Sequence, residues 1–192
     1  VNGWERTPLR LSVEGDDMTF APQPGAKPFP LAGAANVQFY TRPGPNDQGA
    51  IYMTVAGGAA AVGTWLDRFA QGKPVGLTFD AIASHVSAFS GPNFVSSVAG
   101  WSKAGGALQV RNLALSADGA SVQATSAAIS LSPDGRLAGL LTAKTAEPGR
   151  LLAALGSDAS APTTAPGGVV FTFKDGRTFV GAYDLGPAPG VF

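Results

Sequence analysis

The chain has 192 residues, with 13 basic and 13 acidic side chains, 26 glycines, 15 prolines and no cysteine. Balanced charge without a basic block argues against the phosphate-neutralising face of a nucleic-acid binder, and the lack of cysteine rules out disulfides and thiolate chemistry. Many glycines and prolines without a fixed period point away from collagen and toward short strands joined by many turns.

From the N-terminus, Val1-Asn2-Gly3-Trp4 reads as an internal start, as in a processed or truncated chain, from which any anchor or export signal could have been lost upstream. Leu9, Leu11 and Val13 alternate with Arg10, Ser12 and Glu14, the period-2 pattern of a half-buried strand. A Gly15-Asp16-Asp17 turn and a short extended run, Met18 to Phe20, follow. Pro22 to Pro30 carries four prolines, which cannot donate to a regular ladder, and reads as a loop. Val37, Phe39 and Thr41, then Ile51, Met53 and Val55, make a hairpin across a Pro-Gly-Pro-Asn-Asp turn, and Gly57-Gly58 reads as punctuation after it. Val62, Trp65, Leu66, Phe69 and Ala70 then recur at helical spacing, with Asp67, Arg68 and Gln71 off the apolar stripe. Gly72 is placed to end that helix.

Val75, Leu77 and Phe79 restart a strand that extends toward Val86. Pro92 opens a second helix carrying Phe94, Val95, Val98 and Trp101, stopped by Gly105-Gly106. The stretch from Leu108 to Gly156 organises the rest: three strands separated by Asp118-Gly119 and Asp134-Gly135, then a short helix. Asp-Gly favours a tight hairpin because Gly accepts a positive φ and Asp tolerates one. The apolar phase slips inside both of the first two strands. Leu108 and Val110 give way to Leu113 and Leu115, and Val122 and Ala124 to Ala127, Ile129 and Leu131. Such a slip flips the buried face unless a bulge absorbs it, so paired bulges near Arg111-Asn112 and Thr125-Ser126, and a bent sheet, are expected. Leu137, Leu141 and Ala143 mark the third strand, and Pro148 opens a helix with Leu151, Leu152 and Leu155. Ser157 to Gly168 reads as a mobile surface loop. Val169, Phe171 and Phe173, a Lys174-Asp175-Gly176 turn, and Phe179 to Leu185 close the chain.

The fold class expected is mainly β, a β-rich α+β domain over 1–192: a bent antiparallel sheet with two or three short helices packed on it. The two halves, about 1–86 and 87–192, follow one programme of hairpin, helix and strand, with Val75-Gly76-Leu77-Thr78-Phe79 matched by Val169-Val170-Phe171-Thr172-Phe173. They read as two repeated sheet-plus-helix units sharing one core.

Trp101-Ser102-Lys103-Ala104-Gly105-Gly106-Ala107-Leu108, the run Ala127 to Leu131, Asp134-Gly135-Arg136-Leu137-Ala138-Gly139-Leu140, and Arg150-Leu151-Leu152-Ala153-Ala154-Leu155 resemble the proteobacterial envelope proteins of the domain-of-unknown-function 2125 family. The closing Asp175-Gly176-Arg177 and Leu185-Gly186-Pro187 resemble them too. The resemblance implies a periplasmic β-rich body tethered to the inner membrane by an N-terminal helix, and it carries no activity over to any residue.

Chemistry is sparse. His85 is the only histidine, which argues against a transition-metal site or a nucleophilic triad. Asp16-Asp17 could pair with Asp80 or Glu147 as glycosidase-like carboxylates, yet each also fits a turn or a helix start. Asp134 in Ser-Pro-Asp-Gly lacks the ligand spacing of a calcium loop. No catalytic residue, metal or cofactor is therefore expected. Trp65, Leu66, Phe69, Phe94 and Trp101 form either core or an apolar slot between helices and sheet. The leading expectation is a non-enzymatic periplasmic scaffold or accessory subunit, its partner a membrane protein complex. The alternatives are a lipid or amphiphile carrier using that slot, and a hydrolase with an unrecognised carboxylate site.

Overall fold

The structure is a computed structural model and describes residues 10–21, 29–156 and 168–190. Apolar and polar side chains alternate along most of them, and ten strands result: β1 Leu11–Thr19, β2 Leu31–Pro43, β3 Gln48–Ala60, β4 Val75–Ser84, β5 Ala107–Ala117, β6 Ala120–Leu131, β7 Leu137–Thr145, β8 Val169–Lys174, β9 Arg177–Val180 and β10 Tyr183–Pro187. They form one sheet in sequence order from β1 to β10, each neighbouring pair antiparallel. Three short helices interrupt this meander: α1 Trp65–Ala70 between β3 and β4, α2 Phe94–Lys103 between β4 and β5, and α3 Pro148–Ala154 between β7 and β8. The chain is mainly β, as its alternation requires.

Turn chemistry fixes the hairpins. Asp118-Gly119 has φ of 46° and 82°, and Asp175-Gly176 has 53° and 72°, two-residue turns whose backbone twist matches the strands they join. Asp134-Gly135 differs from its reading as a two-residue turn. It lies in a longer loop from Ser132 to Arg136, closed by Ser132 N–H donating to the Arg136 carbonyl at 2.8 Å. The two slips in apolar phase are bulges where the sequence places them. Against β4, Arg111 is the extra residue, since Asp80 pairs with Asn112 and Ala81 with Val110. Against β7 the register shifts between Ala124 and Ser126, while β5 and β6 stay in step with each other because both carry their extra residues opposite one another.

Two supposed breaks turn out to be strand interior. Gly15-Asp16-Asp17 is not a turn: β1 runs through it, Asp17 stands out at φ 49°, and pairing resumes at Met18 opposite Ala34. The register is the same on both sides of Asp17, so the strand absorbs its positive φ without an extra residue. Gly57-Gly58 is likewise inside β3, where the register against β4 shifts between Val55 and Gly58. Gly57 has φ 60°, and a Cβ there would lie 2.9 Å from the Cβ of Ala35. The readings on Pro22 to Pro28 and on residues 157–167 lie outside the described residues.

The first helix is shorter than its apolar period suggests. Val62 is 91% exposed and precedes it. Thr64 caps α1 by accepting from Asp67 N–H at 3.3 Å, and Gln71 and Gly72, both at positive φ, end it. In α2 a full capping box starts the helix, Asn93 accepting from Ser96 N–H while the Ser96 hydroxyl accepts from Asn93 N–H. Glu147 and Pro148 open α3, which buries Leu151, Leu152 and Ala154.

α1 and α3 pack on each other and clamp each other's last turns. Arg68 Nε donates to the Ala154 carbonyl at 2.8 Å, and Arg150 Nε to the Phe69 carbonyl at 2.8 Å. The Arg150 guanidinium also lies 5.3 Å from the centre of the Phe69 ring. Each arginine thus satisfies a carbonyl that a helix end leaves without an internal partner. Phe69, Leu66, Leu151 and Leu152 join one core with Leu31 and Val37 of β2 and Val169 and Val180 of β8 and β9. On a flat sheet β2 and β9 would stand about 34 Å apart, seven spacings of about 4.8 Å. The core runs from strand to strand between them, with the helix pair packed into it.

Gly139 in β7 has φ 128°, and a Cβ there would lie 2.1 Å from the backbone oxygen of Ala128 in β6. Gly139→Ala is expected to cost about 3 kcal/mol, since backbone cannot move aside as a flexible side chain would. Gly149→Ala is expected to stabilise by about 0.5–1 kcal/mol, because it meets nothing within 4 Å and gains helix propensity. Urea unfolding midpoints check both, and a Gly139→Ala midpoint equal to the parent's refutes the close approach.

Candidate functional site

The register places three apolar rows on the inner face, the face that the helices cover. The first is Leu11, Thr41, Ile51 and Ala81; the second is Val13, Phe39, Met53, Phe79 and Leu113; the third is Gly15, Val37, Val55, Leu77, Leu115 and Val122. α1 and α3 leave and re-enter the sheet at the end nearer the third row, and Val37, Val55, Leu115 and Val122 are buried there. At the opposite end α2 is pinned by Trp101, whose Nε1 donates to the Ser84 carbonyl at 2.6 Å. Between these covers the second row loses its cover toward β1. Leu113 and Phe79 pack against the core, Met53 and Phe39 are half-buried, and Val13 is 38% exposed. Leu11 in the first row is 36% exposed. The result is an open apolar trough crossing β1 to β5.

The outer face of the same strands is polar and internally paired. Tyr40 donates to Glu14, Asn36 donates to Asp16 at 2.8 Å, Thr54 donates to Gln38 at 3.4 Å, and Tyr40 stacks on Tyr52. The bonded Glu14 carboxylate raises the Tyr40 phenol above its ordinary pKa, because ionising that phenol would break the bond and set two negative charges together.

The aromatic residues singled out in the sequence fall in separate places. Leu66 and Phe69 are buried in the main core, and Trp65 packs half-buried against it. Trp101 is buried on the far end of the sheet, flat against Gly106, where a Cβ would lie 2.2 Å from the indole. Phe94 opens α2, and its side chain lies outside what the structure describes. The trough is instead lined by strand residues that the sequence showed only as ordinary alternation.

The candidate carboxylates are not brought together. Asp16 on β1 and Asp80 on β4 are three strands apart, about 14 Å at the usual strand spacing, against the roughly 5 to 10 Å between the two carboxyls of a glycosidase. Asp80 is bound by Arg111, Asp17 sits at positive φ inside β1, and Glu147 pairs with Arg150 at 3.4 Å beside α3. His85 is exposed just past β4, its Nδ1 3.2 Å from the Ser84 hydroxyl. Among the described residues, no three His, Asp or Glu side chains gather as metal ligands would. No helix among them is long and apolar enough to cross a membrane.

With the trough and the scattered carboxylates described, comparison with known sequences adds one finding. A family model for an uncharacterised protein conserved in bacteria, DUF2125, matches residues 4–189. The chain belongs to the DUF2125 family. No curated protein and no solved structure matches it. In this DUF2125 chain the residues that carried the resemblance do structural work. Gly106 receives Trp101, Gly139 lets β7 approach β6, and Arg150 clamps α1.

Two carboxyls, Asp134 in the loop between β6 and β7 and Asp184 in β10, are held below the ordinary carboxylate range. Asp134 is lowered chiefly by the Ser132 hydroxyl and also by Arg136, and Asp184 by Arg177 and then by Gly186 N–H. A carboxyl with a depressed folded pKa contributes stability above its unfolded value and loses it as pH falls through the folded value. Both groups are exposed, so the loss is small. Proton NMR titration of Asp184 is expected to give a pKa below the usual range. Arg177→Gln should raise it; an unchanged value would show that the Arg177 bond does not form.

Proposed function

We propose that the protein is a non-enzymatic periplasmic envelope module that binds an amphiphile through its sheet, serving as an accessory subunit of a membrane-associated assembly. The observation that carries this reading is the second row, an unbroken line of five large apolar side chains from Leu113 to Val13 that loses its cover toward β1, while Val37, Val55, Leu115 and Val122 of the third row stay buried. Exposed contiguous apolar surface on a folded domain is usually an interaction site. A scaffold alone gives no reason to leave it open. The polar outer face, with its side chains already bonded to one another, offers a ligand less. The periplasmic setting rests on the resemblance of the sequence to envelope proteins. The scattered carboxylates supply no support for hydrolysis.

Protein purified from a bacterial host is expected to release an amphiphile on solvent extraction, detected by mass spectrometry. Delipidated protein should brighten an anilinonaphthalene probe. Met53→Glu, at a half-buried position in the middle of the row, should abolish both signals while moving the urea midpoint by the equivalent of no more than about 2 kcal/mol. An empty extract together with no probe binding refutes the proposal.

A further inference from the structure

We infer that the open edge of β1 pairs with β1 of a second copy of this chain, antiparallel, about a two-fold axis at Val13. The pairing stands whether or not the trough binds an amphiphile. Strands in sequence order leave two edges, β1 and β10. β10 is closed to addition. Its register breaks between Asp184 and Gly186, Pro187 ends it, and the residues after it are tied back, Ala188 N–H donating to the Gly176 carbonyl at 2.8 Å and Gly190 bridging to Arg136. β1 has none of these guards. It holds one register against β2 from Leu11 to Thr19, contains no proline and is exposed along most of its length. Among the described residues nothing pairs with its other side.

The backbone shows which groups wait there. Residues on one face of a strand send their N–H and C=O groups to the same side. Met18 and Phe20 pack against the core, and Phe20 N–H donates to the Ala32 carbonyl at 2.9 Å, toward β2. Leu11 is on that face too, and its N–H reaches the Thr41 hydroxyl of β2 at 3.2 Å. Leu11, Val13 and Gly15 therefore turn their backbone groups toward β2. Ser12, Glu14 and Asp16 alternate with them on the outer face and turn theirs to the open edge, where no described ladder bonds them.

Side chains choose the occupant and its register. Keeping the apolar side chains on one face allows only registers that step by two residues. With the axis at Val13, Arg10 stands opposite Asp16 of the second copy at both ends of the pair, and Ser12 opposite Glu14. Arg10, Glu14 and Asp16 are in none of the ion pairs among the described residues, so their charges are available to a partner. On the inner face Val13 meets Val13 of the second copy, and Leu11 meets Gly15, over which the Met18 thioether lies. The ladder ends at Asp16, just before the positive φ of Asp17. Moving the axis to Glu14 sets Glu14 against itself, and moving it to Gly15 sets Glu14 against Asp16, like charges directly opposed. With the axis at Ser12, Asp16 has no basic residue opposite. Only the axis at Val13 covers that exposed side chain with its own copy and carries the second apolar row unbroken into the same row of the second copy.

Sedimentation velocity of the full chain is expected to show monomer and dimer in a concentration-dependent equilibrium, since two short edges make an interface at the small end of the range. Ser12→Pro removes an N–H that faces the edge and leaves the β2 ladder intact, so it should keep the parent's circular dichroism and be monomeric. Arg10→Asp should weaken the dimer about tenfold, and Arg10→Asp combined with Asp16→Arg should restore it. Single cysteines read the register in a chain that has none of its own. Opposed residues at a non-hydrogen-bonded site have Cα atoms about 4.5 Å apart, within disulfide range. Val13→Cys should therefore oxidise to a covalent dimer at least about tenfold faster than Ser12→Cys or Glu14→Cys. A chain that stays monomeric up to about 1 mM, or a dimer that persists in Ser12→Pro, overturns the pairing. Fastest linkage at Ser12→Cys or Glu14→Cys overturns the register, and a charge swap that fails to restore the dimer overturns the contact of Arg10 with Asp16.

Discussion

The mutual clamp of α1 and α3 is the constraint on which the rest of the architecture depends. Helices of six and seven residues have no stability of their own, and all of it comes from what they bury and who satisfies their ends. Here Arg68 and Arg150 each reach across to the other helix's last turn, so neither end can be withdrawn without orphaning a carbonyl in the other. The pair forms a plug carrying Leu66, Phe69, Leu151 and Leu152, each worth about 1.5–3 kcal/mol by burial. The ten-stranded sheet can enclose that plug only by bending, and the bulges at Arg111 and Thr125 are where β5 and β6 take up the strain together.

The position of the plug explains the open trough. Both helix-bearing connections leave from one end of the strands, between β3 and β4 and between β7 and β8, so their cover is concentrated there. α2 arises from the other end and is tied down by Trp101. Nothing described crosses the middle of β1 to β4, and the alternation that buries Val55 and Leu115 continues into Phe39, Met53 and Val13 with no helix above them. The trough follows from connection geometry acting on a uniform pattern, with no special residues marking it.

That is also why the site was harder to read than the fold. Strand positions, the Asp118-Gly119 and Asp175-Gly176 turns, and the compensating bulges all follow from local chemistry: period two, tolerance of positive φ, and a phase slip that must be absorbed. Gly57 misled because a residue favoured at a break also serves inside a strand where a bulge needs it, and Asp17 because a strand can hold one positive-φ residue without losing register. Trp65, Phe69 and Trp101 drew attention as large side chains on helices, yet burial depends on what stands opposite, and opposite them the sheet is closed. Arg68, off the apolar stripe of α1, gave no sign that its partner lies in a helix 86 residues away, because a hydrogen bond across the fold leaves no periodic trace.

The strictly sequential strand order has a consequence for how the chain reaches this state. Each described strand pairs with its immediate neighbour in sequence, so the ladder assembles from local closures whose entropic cost is low, and topology of that kind goes with fast folding. Two contacts join distant segments: the docking of α1 on α3, and the tie of Arg136 and Leu137 to residues 188–190 near the end of the described chain. A nascent chain leaving a ribosome or a translocon can therefore zip up hairpin by hairpin, and must wait for Arg150 to emerge before the sheet has anything to close upon.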